Sequence, residues 1–478
     1  MRACHEQLCI QFAPVLREDS LRVFNVKSEL KFDLLLRGAT VVNAGGSVRA
    51  DLAVANGCIA ALFAPGTAAH AREEISVEGC CLLPGLVDAH VHLREPGLTQ
   101  KEDFVSGTRA AIAGGVTTLL DMPTDDPWTS TARELIDKMH LASGRLHADV
   151  GLQVALRRKP SDLDALCALH PVSFELFTAD VPDAFLHRTM DDVVSALRAL
   201  QGLDVLICIS PGDQSILEAS LRRDVSSGNG IASFLASRPP LAEANGIARA
   251  VLAAAQTGAR VHVRQSNSAA GMAVWRRLKD LADVSIETTP QCLLFTSDDY
   301  VRHGANLKAS PPMRAQCDVD ALRAALRDGV IDIVATDHAP HAPAEKAAHY
   351  ANFADVPGGM PGVQTLLMSM LHLVALGDID LSALVRMCSW NPAQRFGLGS
   401  RKGALEPGYD ADIVIIDPRR NTVVRNAEQL SRAGYTPFDG LDVPWRMTGV
   451  FLRGKRLLDE SGLLDLPASG RLLAFQKD

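Results

Sequence analysis

LLPGLVDAHVH, residues 82–92, decides how this chain is read. A Pro-Gly turn leads into an apolar run, and the run ends on two histidines one residue apart. Side chains alternate along an extended strand, so His90 and His92 point the same way. Two imidazoles on one face at a strand end are the beginning of a metal site. The plain alternative is two histidines that fell near a turn. Seven more short apolar stretches follow: TTLLDMP (117–123), ADVGLQVAL (148–156), SFELFT (173–178), VLICIS (205–210), ARVHVRQS (259–266), VSIETTP (284–290) and IDIVATDHA (331–339). Helical stretches such as EDFVSGTRAAIAGG (102–115) and LAEANGIARAVLAAAQTG (241–258) lie between them. Eight strands with helical connections predict an α/β chain built on a (β/α)8 TIM barrel, in which functional residues gather at the C-terminal ends of the strands.

Outward from this region the texture changes. FDLLLRGATVV, SVRADLAVANGCIAALFA and EEISVEGCCLLPG before it, and GALEPGYDADIVIID, NTVVRN and RMTGVFLRGKRLLDESG after it, read as short strands separated by glycine turns. They predict a composite β-sandwich domain made from residues 32–84 and 403–478, around a barrel over 85–402. Residues 1–31 lack periodicity and read as an N-terminal extension.

The bulk composition excludes several classes. The chain has 478 residues, 47% hydrophobic and 22% charged, with a net charge of −8 and scattered Lys and Arg. No basic stretch or aromatic interleaving suggests a nucleic-acid partner. No apolar run approaches the ~20 residues of a membrane span, and the N-terminus lacks the apolar segment of a signal peptide. The 10 cysteines are dispersed, with no CxxC, which is the usage of a reducing compartment. A cytoplasmic protein without membrane partners is expected.

Two carboxylates stand where chemistry would need them. Asp337 in ATDHAPH follows the eighth strand, so it emerges beside the first strand once a barrel closes. A helix cap or turn aspartate is its plain alternative. Glu175 sits in the middle of the apolar stretch SFELF. A carboxylate buried there requires a cation or donors.

HVHLREPGLTQKEDFVSGTRAAIAGGVTTLLDMP resembles the start of the cyclic amidohydrolases, the family of dihydroorotases, allantoinases and hydantoinases. SRPPLAEANGIARAV, ASPPMR, IDIVATDHAPH, SWNPAQRFGL, KGALEPGYDADIVIID and SRAGYTPFDG are similar to further segments of that family in the same order, so the resemblance covers nearly the whole chain from Phe32 to Gly462. It implies a barrel with a composite β-sandwich and a two-metal centre. The ligands of that centre are the strand-one histidines, a carboxylated lysine on strand four, one histidine each from strands five and six, and the strand-eight aspartate.

His90, His92 and Asp337 match that pattern. The lysine position holds Glu175, the strand-five position Cys208, and the strand-six position Gln265. Glu175 carries a carboxylate on a shorter arm than a carboxylated lysine. With His90, His92 and Asp337 it would complete a set for one divalent ion, zinc or alternatively manganese, with no organic cofactor. The rival reading is a metal-free barrel in which Glu175 pairs with His90, His92 or Arg264. On the substrate side, Arg94 and His341 match the residues that hold a carboxylate in dihydroorotases. Asp126 and Ser310 replace two asparagines, and Asp126 would repel that carboxylate.

The resemblance implies a metal-dependent hydrolase of a small cyclic amide, imide or ureide. In that reading Asp337 is the catalytic acid and base, and the protein forms homo-oligomers. The alternative is a catalytically inactive homologue acting as a binding or assembly module.

Overall fold

The computed structural model describes residues 31–203, 205–223 and 230–475. The expected extension over 1–31 lies outside these residues, apart from its last one.

Eight parallel strands form the barrel: β1 (Leu86–Val91), β2 (Val116–Asp121), β3 (Asp149–Ala155), β4 (Ser173–Phe177), β5 (Leu206–Ser210), β6 (Arg260–Val263), β7 (Val284–Thr288) and β8 (Ile333–Val334). Each pairs with the next in chain order. Every residue of β1 to β4 is buried, as parallel strands covered by helices on one face and packed inward on the other must be. Closure between β8 and β1 is made beyond the ladder. His92 N–H donates to the His338 carbonyl at 2.8 Å, and Asp88 accepts from the Thr336 N–H at 3.0 Å and hydroxyl at 2.6 Å. These bonds bring His90 and His92 beside Asp337. Phe396 and Leu398 pack against Val87, Ala89, Leu206 and Cys208 and fill the barrel from its far end.

Segments before and after the barrel meet in one nine-stranded sheet. Its N-terminal half spans Lys31–Pro84 and its C-terminal half Ile413–Leu463. The two halves join where Cys81–Pro84 pairs antiparallel with Ile413–Asp417. At the seam with the barrel, Lys402 Nζ sits among Asp149 (2.6 Å), Asp412 (2.6 Å) and Asp410 (3.0 Å), joined by an Arg453–Asp149 pair. No helix among the described residues is long and apolar enough to cross a membrane.

Candidate active site at the mouth of the barrel

His90 and His92 leave the end of β1 on the same side, as the alternation required. His92 Nε2 lies 3.2 Å and His90 Nε2 3.4 Å from Asp337 Oδ1. His90, His92 and Asp337 are one of two groups of acidic or imidazole side chains among the described residues close enough to share an ion. The second group, Asp149, Asp410 and Asp412, already surrounds Lys402.

The far side of each ring is fixed. His90 Nδ1 donates to Glu287 Oε1 at 2.6 Å, and His92 Nδ1 lies 2.8 Å from the Thr124 hydroxyl. Burial alone would lower the His90 pKa, but the charges of Glu287 and Asp337 outweigh it and raise the value. His92 goes the other way. Burial, with a contribution from Arg94, pushes it down to about 3, so its imidazole is neutral. With Nδ1 of His90 committed to Glu287, its Nε2 faces the Asp337 carboxylate, and a cation or a proton must lie between two such acceptors. This donor set fits one divalent ion, two imidazole nitrogens and a carboxylate with positions left open. Asp337 itself is held by Gln265, whose Nε2 donates to Oδ2 at 2.5 Å.

Glu175 is not in that group. Its side chain is fully buried, and its Oε1 accepts from Arg264 Nε at 3.1 Å and from Nη2. Its Oε2 has no partner among the described residues. Of the four side chains expected to hold an ion, His90, His92 and Asp337 come together and Glu175 stands apart. The physical reason is that a buried carboxylate is satisfied by the nearest buried cation, and Arg264 reaches it. The pairing of Glu175 with Arg264 is the arrangement the rival reading described. Cys208 belongs to neither group of side chains close enough to share an ion. Burial pushes its thiol well above the ordinary value, and a neutral thiol binds metal poorly.

The three residues sit at the floor of a cavity of about 260 Å³, lined also by Arg94, Met122, Phe177, Gln265, Ser310, Arg314 and Gly359. Among the described residues Arg94 pairs with neither Glu95 nor Asp126. Its Nε donates to the Pro340 carbonyl at 3.3 Å, while Glu95 pairs with Arg145. Asp126 is exposed and is not part of the lining, so it repels nothing in the cavity. Its neighbour Asp125 is the buried one, paired with Lys138 at 2.7 Å. Ser310 lines the cavity, whereas His341 stands behind it, with Nε2 2.9 Å from the Gly358 carbonyl. Burial and nearby cations lower His341 to about 3.

Residues 338–362, a stretch rich in Ala, Gly and Pro beside the cavity, are tied down. Lys346 Nζ donates to the Ala305 and Pro357 carbonyls at 3.0 and 2.7 Å, and Lys308 Nζ to those of Ala354 and Val356.

Sequence reasoning missed Glu287, the residue that orients His90. The signal was available, because Glu287 is a carboxylate in the apolar strand VSIETTP, as Glu175 is in SFELF. His262 reaches the barrel interior, whereas Gln265 turns to the cavity and Asp337. His262 Nε2 donates to Glu287 Oε2 at 2.9 Å. Gln265 lies beyond the end of β6 at φ +46°, where strand alternation no longer applies.

Residues 81–168 and 236–457 match the profile of the amidohydrolase family. The unmatched stretch between them carries β4 and β5, with Glu175 and Cys208. An allantoinase from Rubrobacter xylanophilus is 33% identical over 456 residues, covering 94% of this chain and 98% of that protein. A dihydroorotase from Methanosarcina mazei is 34% identical, covering 84% of this chain and 88% of that protein. Among solved structures, the L-hydantoinase (dihydropyrimidinase) from Arthrobacter aurescens superposes with a TM-score of 0.88 at 28% identity, covering 93% of this chain and all of that one.

Proposed function

The chain belongs to the amidohydrolase family, and on that premise we propose that it hydrolyses a C–N bond of a small cyclic amide, imide or ureide with one divalent ion held by His90, His92 and Asp337. The observation that carries this reading is the convergence of both imidazole Nε2 atoms on Asp337 Oδ1 at the floor of the cavity. A cavity of about 260 Å³ suits a single-ring molecule rather than a polymer.

An ion at these residues would supply Lewis acidity, polarising the scissile carbonyl and easing deprotonation of the attacking water. The protein's own groups do the rest. Asp337 accepts the proton of the attacking water and returns it to the leaving nitrogen, so that the ring opens with no net change in protonation of the site. Gln265 keeps the Asp337 carboxylate aimed during this transfer. Glu287 and the Thr124 hydroxyl hold the imidazoles so that both Nε2 atoms face the same point, which is the usual work of groups behind metal ligands. Arg94, buried and among the lining residues, carries a fork of N–H donors suited to an anionic or carbonyl oxygen of the ring.

The named relatives suggest allantoin, hydantoins and dihydropyrimidines as the first rings to test. Asp337→Asn should reduce turnover by about 10²- to 10⁴-fold while leaving the circular dichroism spectrum intact. Full activity in that variant would sink the mechanism.

One observation favours the second reading, a non-catalytic relative that binds or assembles. The strand-four carboxylate is spent on Arg264 rather than on a metal. Elemental analysis after zinc loading separates the two. About one ion per chain supports the hydrolase, and none supports the binding module.

A further inference from the structure

Directly behind the histidines lies a charged layer with no access to solvent. Glu175 on β4, Glu287 on β7 and Arg264 just after β6 are all fully buried. The Arg264 guanidinium uses every donor it has. Nε and Nη2 serve Glu175 Oε1, Nη2 also serves Gln153 Oε1 at 2.5 Å, and Nη1 serves Glu287 Oε2 at 3.0 Å and the Ala89 carbonyl at 2.9 Å. A guanidinium has five N–H donors, and all five find acceptors here. Phe396 closes the layer from below, with its ring 5.5 Å from the guanidinium carbon. Glu287 is equally committed, accepting from Arg264, His262 and His90. Gln153 is held in turn by Ser173, whose hydroxyl donates to Gln153 Oε1 at 2.5 Å.

We propose that Arg264 is a built-in cation that takes the place of a second metal ion and, through Glu287, holds His90 with Nε2 facing the cavity. It gives the two buried carboxylates one shared cationic partner, with a single positive charge where a divalent ion would bring two, and it cannot be chelated away. Three features point the same way. The cation touches both carboxylates. The strand-five side chain beside them is the neutral thiol of Cys208, level with Glu175 in the β4–β5 ladder. Gln265, next in sequence, turns instead to Asp337. Apart from Glu175 Oε2, the groups of this layer find protein partners without a metal, and the acidic and imidazole group left without a cation is the one at the mouth. Arg264 is a positioning residue. It acts on the mouth only through Glu287 and the His90 ring. The inference deepens the proposed one-ion site without depending on turnover.

The test uses the full chain as wild type, Glu175→Gln, Arg264→Met, Arg264→Lys and the Glu175→Gln/Arg264→Met double variant. Zinc stoichiometry and affinity, the thermal midpoint with and without EDTA, and the nitrogen NMR signal of His90 are read for each. Wild type should bind no more than one zinc and keep its thermal midpoint in EDTA to within a few degrees. Arg264→Met should lower the midpoint steeply by stranding two buried carboxylates, and the double variant should recover much of the loss. Arg264→Lys keeps the charge but not the fork, and should fall between.

Even in the folded double variant, zinc affinity should drop by about 10- to 100-fold, the usual cost of losing a group that orients a ligand. The His90 nitrogen signal should move with it, which a purely structural role would not require. Two zinc ions per wild-type chain would overturn the proposal. So would additive midpoint losses, or wild-type zinc affinity and an unmoved His90 signal in the double variant. If wild type binds no zinc but the non-additive cycle and the His90 shift are present, the metal-dependent hydrolase fails and the role of Arg264 stands.

Discussion

Asp337 and Glu287 both address His90, one 3.4 Å from Nε2 and the other 2.6 Å from Nδ1, yet their surroundings differ. Asp337 stands at the cavity floor. Its Oδ1 faces two imidazole nitrogens, and its Oδ2 accepts from Gln265. Glu287 is sealed in the barrel with an arginine and two histidines donating to it. Burial alone would raise its pKa, but Arg264 and His90 hold it well below the ordinary carboxylate value. One carboxylate is left short of donors by the protein, and the other is well supplied with them. An open charge invites a ligand, whereas a satisfied one fixes a structure.

The acidic group at the seam between barrel and sheet extends the comparison. Asp149, Asp410 and Asp412 are as close together as metal ligands, but Lys402 occupies their centre and Arg453 closes one side. It is built like the Glu287 layer. Lys402→Met should therefore cost about 3–5 kcal/mol of stability, the range for removing one partner of a buried pair. It should leave turnover and zinc count at the mouth unchanged. Denaturant titration with parallel metal analysis checks this. A stable Lys402→Met protein would break the analogy between the two closed groups.

A smaller effect separates the two sides of His90. His262 donates to Glu287, and its pKa is lowered to about 4, chiefly by burial, so it acts as a neutral donor. Its other nitrogen lies 2.8 Å from the Ser285 hydroxyl. His262→Ala should cost about 1–3 kcal/mol, the penalty for leaving a buried acceptor short of a donor, while the zinc count at saturation stays the same. Loss of zinc on that change would show that mouth and interior are a single unit.

The smallest effect concerns the loop that covers the mouth. Burial lowers Lys346 to about 7 and Lys308 to about 8, from an ordinary value of 10.5, with neighbouring cations adding to the shift. Between those values and 10.5 the unfolded chain holds more protons than the folded one, so stability from these groups rises with pH across that window. The thermal midpoint of wild type, taken relative to Lys346→Met, should therefore climb between pH 7 and 9. A flat difference would mean the loop is held by something other than these two amines.

Much of the fold was legible in the chain. Short apolar runs alternating with helical ones identified the eight strands to within a few residues, because parallel strands buried on both faces must be apolar throughout. The alternation of His90 and His92 placed both rings on one side, and the position of Asp337 after the last strand placed it near them, because a closed barrel makes the first and last strands neighbours. Glu175 shows where this reasoning stops. The sequence established that it needed a partner, since no strand buries a lone carboxylate. It could not choose among His90, His92, Arg264 and a metal ion, because that choice depends on which side chain spans the barrel axis. Only the tertiary structure decides it. Arg264 lies far from Glu175 in sequence, and its reach across the interior follows from barrel radius and register, which no local pattern encodes.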